Sequence, residues 1–269
     1  MSANTAVAQH VSVEQWRPPS LLGQSLLQAG RLLRRWRTFP PILLQTFMFP
    51  VVLFVMFRII FADSIEFASG TDNIAALTAL MVVCPAMFGS SAGGQSLIVE
   101  REAGVLRRFD VMPVPKGGDI LGRAWAELVR MACAAVVLVL VASLFGFRFA
   151  SVGAALGWMA LLVLISAGFL AVGLTIGALC SNVGQAQAIE PIYIILLFLN
   201  TGMVPLEAFP DAMQSVVDAL PVSVAVNALE ATSQGHAGAA EIVPAAVWFG
   251  VLTVVLGVLG ARLMRRRRQ

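Results

Sequence analysis

Long apolar stretches constrain this sequence more than any other feature. A helix needs about 20 apolar residues to cross a hydrocarbon core of roughly 30 Å. The apolar stretches predict six spans, at about 40–61, 74–98, 124–147, 152–179, 186–204 and 242–264. Of the 269 residues, 58% are hydrophobic and 12% are charged, whereas a soluble domain has roughly 25% charged residues. The predicted class is therefore an all-α membrane protein with six transmembrane helices.

Segments outside the spans complete the predicted organisation, in which a transmembrane domain covers residues 20–264. Residues 1–19 are polar and predict a disordered tail, and residues 265–269 form a basic tail. Residues 20–37 combine an apolar stripe with an arginine cluster, which is typical of an amphipathic helix lying in the membrane interface. A solvated helix is the alternative. The residues that carry this pattern are Leu22, Leu26, Leu33, Arg34, Arg35 and Trp36.

Basic and acidic residues are sorted between the connecting segments. The bases concentrate before the first span, between spans two and three, and after the last span, whereas segments 62–73 and 205–241 contain acids but no Lys or Arg. Because bases accumulate in cytoplasmic loops, both termini and the 99–123 loop are predicted to be cytoplasmic. Arg58 and Arg148 are exceptions close to an outer boundary, where long side chains reach the interface. The net charge of +3 therefore reflects topology and does not indicate a nucleic-acid partner.

Residue patterns for catalysis and metal binding are missing from the sequence. His10 and His236 have no partner at metal-ligand spacing, and no GxxxxGK[ST] phosphate loop is present. Cys84, Cys133 and Cys180 lie in or beside apolar runs without CxxC pairing, which indicates small buried side chains. The chain is thus predicted not to be an enzyme and to bind no cofactor or metal.

Ionisable residues within the predicted spans are few, and each is a candidate functional residue. Glu127 and Arg130 stand three apart and can pair on one helical face, and Glu190 precedes Pro191 near the start of the fifth span. All three lie toward the cytoplasmic side, so interfacial ion pairing is the alternative to a transport role. An ion-coupled carrier would be expected to have acids at mid-membrane. Glycines spaced by four also predict close helix contacts, at Gly89 and Gly93, Gly153 and Gly157, and Gly173 and Gly177.

The segment 205–241 is too long and too patterned to be a simple connection. It contains two short amphipathic pieces, about 213–220 and 224–229, each with its apolar residues on one helical face. Irregular backbone at membrane depth is tolerated only inside protein or against a water-filled cavity. The segment is therefore predicted either to form a re-entrant helical hairpin before the last span or to cap the outer surface.

Two motifs resemble those of a known family, the ABC-2 permeases. Residues 95–115 are similar to the family's loop motif ERE-x-G-x-L-x-R followed by a proline, and residues 200–230 are similar to its outer signature. GFRF at 146–149 and TGMVPLEAFP at 201–210 more closely resemble the daunorubicin-resistance-type permeases of actinobacteria. The resemblance covers about residues 20–264. The positions that depart from the family pattern are Asp110, Met112 and Glu230.

The resemblance implies the membrane subunit of an ATP-driven exporter in the plasma membrane of a bacterium. Two permease subunits, identical or paralogous, would pair with separate ATPase subunits that bind ATP and Mg²⁺. The substrate would be a hydrophobic or amphipathic molecule, either drug-like or a complex lipid. The implied ATPase-coupling residues are Glu100, Arg101, Glu102, Gly104, Leu106, Arg107, Arg108 and Pro113. The implied outer gate contains Gly202, Pro205, Phe209, Pro210 and Pro221.

Two other function classes remain open from the sequence. One is an ion-coupled secondary transporter that acts alone, and the other is a membrane scaffold that transports nothing. The scarcity of mid-membrane acids weakens the first. A neighbouring reading frame with a phosphate-loop lysine would count against the second.

Overall fold

A computed structural model describes residues 23, 27, 30 and 34, and the ranges 47–60, 74–103, 118–204 and 206–266. All regular elements within this part of the chain are helical, in agreement with the predicted all-α class. The helices are α1 (Phe47–Ile60), α2 (Ile74–Glu102), α3 (Gly118–Leu144), α4 (Val152–Leu179), α5 (Val183–Gln187), α6 (Glu190–Phe198), α7 (Asp211–Ala219), α8 (Pro221–Gln234) and α9 (Ala239–Arg266). A 3₁₀ turn at Leu206–Ala208 precedes α7.

Four of the described helices, α2, α3, α4 and α9, are long and apolar enough to cross a membrane. The second, third, fourth and sixth predicted spans each coincide with one of these helices. Within the described residues α2 is the central helix, mostly buried against α3, α4, α6 and α8, whereas α9 is largely exposed. The first predicted span, 40–61, contains α1, and its remaining residues lie outside the described part of the chain.

The fifth predicted span, 186–204, is not one continuous helix. Instead α5 begins at Val183 under an N-cap in which Asn182 Oδ1 accepts a hydrogen bond from Gln185 N (2.9 Å), and the helix is interrupted at Ala188 and Ile189. Pro191 explains the interruption, because its nitrogen has no hydrogen to donate to the preceding turn and it is favoured in the first turn of a new helix. The resulting helix α6 ends at Phe198. The count of six spans therefore stays a prediction.

The turn between α3 and α4 shows why α3 ends at Leu144 and not at the predicted residue 147. Gly146 adopts a positive φ of 105°, and Phe147 N donates to Ala142 O (3.1 Å), which closes the helix in a Schellman-type cap. The buried Phe147 ring then packs edge-to-face on Phe149, with centroids 5.0 Å apart. The GFRF sequence therefore ends one helix and anchors the turn to the next.

Close backbone contact joins α2 to α4. A Cβ atom at Gly173 would lie 2.0 Å from the Ser90 carbonyl oxygen, and one at Gly177 would lie 2.7 Å from the Gly94 carbonyl oxygen. Small side chains permit this approach, as is common between membrane helices. The prediction of close contact at Gly173 and Gly177 is correct. On α2 the sequence predicted Gly93, where a Cβ would meet nothing within 4 Å, whereas the contact is made by Gly94.

Helix α9 packs mainly on α4. The fully buried ring of Phe249 covers Gly168, where a Cβ would lie 2.7 Å from Phe249 Cδ1. Further along, Thr175 Oγ1 donates across the contact to Leu256 O (2.9 Å), and Gly260 leaves room for the Thr175 side chain. This face of α4 therefore depends on the last helix for its cover.

Helices α7 and α8 meet at Leu220 with a bend of 74°. Helix α8 packs against α2, α4 and α9 and is mostly buried, whereas Val217 is the buried residue of α7. A bent pair of this kind is compatible with a re-entrant loop or with a broken span. The predicted re-entrant hairpin therefore stays a prediction.

The bundle has two distinct ends. At one end α2, α4 and α9 finish and pack together through Leu97, Ala178 and Met264, and α3 begins beside them. We call this the arginine end, because Arg101 and Arg123 lie there. The opposite end carries the α3–α4 turn, where Ala150 N donates to Ser233 O of α8 (2.9 Å).

Candidate functional site

The predicted coupling loop leaves and re-enters the bundle at the arginine end. Glu100, the first residue of the coupling motif, lies in the last turn of α2. It forms an ion pair with Arg123 of α3, and both side chains are largely buried. Arg123 Nη1 also donates to Ser96 Oγ (3.2 Å). Because α2 and α3 carry the two ends of the loop, this ion pair fixes the base of the loop.

Arg101 reaches across to α4. Its Nη2 donates to the carbonyl oxygens of Cys180 (2.7 Å) and Ser181 (3.1 Å), immediately after α4 ends at Leu179. The carbonyl end of a helix carries partial negative charge, so a guanidinium is favoured there. Arg101 therefore caps a helix to which it does not belong.

The structure describes only part of the predicted coupling loop and interfacial helix. Glu100 and Arg101 have intramolecular partners, and Glu102 is exposed. Arg34 is helical and exposed. The predicted residues that lie outside the described part are Gly104, Leu106, Arg107, Arg108, Pro113, Leu22, Leu26, Leu33, Arg35 and Trp36.

The structure contains the ion pair expected from the spacing of Glu127 and Arg130. Arg130 Nε donates to Glu127 Oε2 (3.0 Å), and Nη2 donates to Oε1 and to the Pro85 carbonyl of α2 (3.3 Å). Gly89 provides the space, since a Cβ there would lie 1.7 Å from Arg130 Nη2. The Glu127–Arg130 ion pair thus occupies the space beside Gly89 and joins α2 to α3.

Glu190 and Tyr193 of α6 bind the other side of α2. Glu190 Oε1 accepts from Gln95 Nε2 (2.9 Å) and from Ser91 Oγ (3.2 Å), and Tyr193 Oη lies 2.9 Å from Ser90 Oγ. The sequence singled out Glu190 but missed its partners. No local pattern identifies them, because they lie on a helix about 100 residues earlier in the chain.

The residues of the predicted outer gate are structural elements of the α6–α8 region. Gly202 N donates to the buried Asn200 side chain (2.7 Å), and a Cβ at Gly202 would lie 2.9 Å from Val226 Cγ1. Pro210 and Pro221 stand at the starts of α7 and α8, and Phe209 O accepts from Gln214 Nε2 (3.0 Å). Pro205 lies outside the described residues, and a gating role for this set stays a prediction.

No group of three or more His, Cys, Asp or Glu side chains that could hold a metal occurs within the described residues. There the three cysteines form no disulfide, and Cys84 is buried, Cys180 half-buried and Cys133 exposed. The polar contacts at α2 instead join helices: α3 through Arg123 and Arg130, α4 through Arg101, and α6 through Glu190. This arrangement can transmit movement between helices.

The described helices thus form an apolar bundle with a charged loop base at one end, and four of them are long and apolar enough to cross a membrane. The family model described as ABC-2 type transporter matches residues 24–232. The chain belongs to the ABC-2 type transporter family, which confirms the resemblance noted in the sequence.

Two named relatives extend the similarity over nearly the whole chain. The chain is 24% identical over 262 residues to the probable doxorubicin resistance ABC transporter permease protein DrrC of Mycobacterium tuberculosis, covering 94% of this chain and 95% of the relative. It is 27% identical over 252 residues to the daunorubicin resistance ABC transporter permease protein DrrB1 of Streptomyces coeruleorubidus, covering 90% and 86%.

Proposed function

We propose that this chain is the permease subunit of an ATP-driven exporter that moves a hydrophobic or amphipathic substrate out of the cytoplasm or the inner leaflet. A separate ATPase subunit binds ATP and Mg²⁺, and a second permease, identical or paralogous, completes the membrane part. Both termini and the arginine end face the cytoplasm, as the distribution of bases supports. The relatives' names support drug-like molecules as the first substrates to test.

The position of α2 is the observation that carries this proposal. Its last turn contains the first residues of the coupling motif, and hydrogen bonds along its length join it to α3, α4 and α6. A displacement of the loop is therefore passed directly to the helices of the bundle. A secondary transporter would not require such a connection between the coupling motif and the central helix.

Glu102 offers the clearest test of ATPase docking. Reversing Glu100 would also break its buried pair with Arg123, whereas Glu102 is exposed. We expect Glu102→Lys to weaken capture of the co-expressed ATPase about fivefold, the ratio that corresponds to about 1 kcal/mol. Glu207→Lys makes the same charge reversal at an exposed position in the 3₁₀ turn before α7, outside the coupling motif, and should leave capture unchanged.

Transport is tested with doxorubicin in inverted membrane vesicles that contain the chain and its ATPase. Uptake should require ATP and should be lost when the phosphate-loop lysine of the ATPase is replaced. Uptake that persists with the inactive ATPase and stops when ionophores dissipate the ion gradients would instead identify a secondary transporter. Failure to capture any ATPase, together with no uptake of doxorubicin or lipid probes, would favour a scaffold.

A further inference from the structure

The α4–α6 link, residues 180–190, is a compact unit with its own internal hydrogen bonds. It contains α5, whose start is capped by Asn182, and Ser181 N donates to Gln185 Oε1 (2.8 Å). Ala186 of α5 is buried, and α5 packs on α2. The link can therefore move as one piece.

Side chains of α2 bind the link at both ends. At its start, Arg101 Nη2 donates to the carbonyls of Cys180 and Ser181. At its end, Gln95 and Ser91 donate to Glu190, the first residue of α6. All of these donors belong to the second half of α2, and Arg101 is itself part of the coupling motif.

We infer that Arg101 is a positioning residue that transmits movement of the coupling loop to the α4–α6 link, and so to α6. This inference rests on the proposed function, since it assigns Arg101 a role inside the permease in place of contact with the ATPase. The geometry favours that role, because the guanidinium is already bound to the end of α4. Movement of the last turn of α2 displaces the link, and the link carries Glu190 and Tyr193 with it.

Cys180 provides a reporter within the link. Its carbonyl accepts from Arg101 and its half-buried thiol can react with a maleimide, while Cys84→Ala and Cys133→Ala remove the other thiols. In the permease alone, Arg101→Gln should make Cys180 labelling about tenfold faster, which corresponds to about 1.4 kcal/mol of lost restraint. Arg101→Lys keeps a charged donor and should give an intermediate rate.

Arg262→Gln is the matched control, since it removes the same charge from an exposed position near the arginine end of α9. It should leave the Cys180 labelling rate at the wild-type value. Comparison of the two Gln variants separates the specific contact with α4 from a general loss of positive charge at this end.

The decisive measurement uses the permease bound to its ATPase. Addition of a non-hydrolysable ATP analogue should change the Cys180 labelling rate in the wild-type complex, and this nucleotide response should be lost in Arg101→Gln while the ATPase remains bound. A merely stabilising residue would change the basal rate and preserve the nucleotide response. Partial recovery of the response in Arg101→Lys would support the inference further.

Three results would overturn the inference. In the first, Arg101→Gln no longer binds the ATPase but its Cys180 labelling rate is unchanged. In the second, Arg101→Gln keeps the wild-type nucleotide response. In the third, the wild-type complex shows no nucleotide response. In each case the wild-type chain still captures an ATPase, so the proposed function stands. Failure of the proposed function is a separate result, in which the wild-type chain captures no ATPase.

Discussion

Gly173→Ala tests the contact between α2 and α4 most directly. The new Cβ would lie 2.0 Å from the Ser90 carbonyl oxygen, whereas ordinary contact begins at 3.4 Å, so the two atoms must separate by about 1.4 Å (3.4 minus 2.0). The obstructing atom belongs to the backbone of a buried helix and cannot rotate away. Overpacking typically costs about 1–3 kcal/mol. We expect Gly173→Ala to lower the free energy of unfolding by a value near the upper limit, which corresponds to a fall of about 5 °C in the unfolding midpoint.

The same substitution at Gly93 is the matched control, because a Cβ there would meet nothing within 4 Å. Alanine favours the helix over glycine by up to about 1 kcal/mol, so Gly93→Ala should be neutral or stabilising. Reaction of the buried Cys84 thiol of α2 with a fluorogenic maleimide during heating measures unfolding, in a background with Cys133→Ala and Cys180→Ala. Equal midpoints for the two variants would refute the reasoning.

Two further predictions concern the polar contacts of α2. Arg130→Ala leaves the largely buried Glu127 carboxylate without its partner and should lower the free energy of unfolding by about 3–5 kcal/mol. The double variant Glu127→Ala/Arg130→Ala should lower it clearly less. Equal losses for the two variants in the same thermal assay would show that the pair is not coupled. Tyr193→Phe removes the contact with Ser90 but keeps the ring and should cost about 1 kcal/mol; a loss above about 3 kcal/mol would indicate that the hydroxyl has more partners than Ser90.

The sequence identified the features of this fold that depend on local composition. The spans at 74–98 and 152–179 each lie within a single helix, because each run is predominantly apolar, contains no charged residue and is long enough to cross a membrane. The Glu127–Arg130 pair follows equally from helical spacing. In these cases the residues that decide the structure are close together in the chain.

The features that the sequence did not identify depend on contacts between distant segments. Helical periodicity does not reveal whether Gly93 or Gly94 faces α4, because that choice depends on how the two helices are rotated against each other. In the sequence, Arg101 is one of several bases in a charged loop. Its contact depends on the end of α4, which places the Cys180 carbonyl within hydrogen-bond distance. The interruption before Glu190 could have been anticipated from Pro191, whose nitrogen has no hydrogen to donate to the preceding turn and which is favoured in the first turn of a new helix.

The dependence of α4 on α9 has a consequence for biosynthesis. The ribosome completes α4 before it makes α9, so the surface around Gly168 and Thr175 lacks the cover of α9 until the last helix inserts. Nascent chains that stall before Phe249 would therefore expose an unfinished helix surface inside the bilayer. Membrane proteases and chaperones that recognise such surfaces could distinguish incomplete chains from finished ones by this face alone.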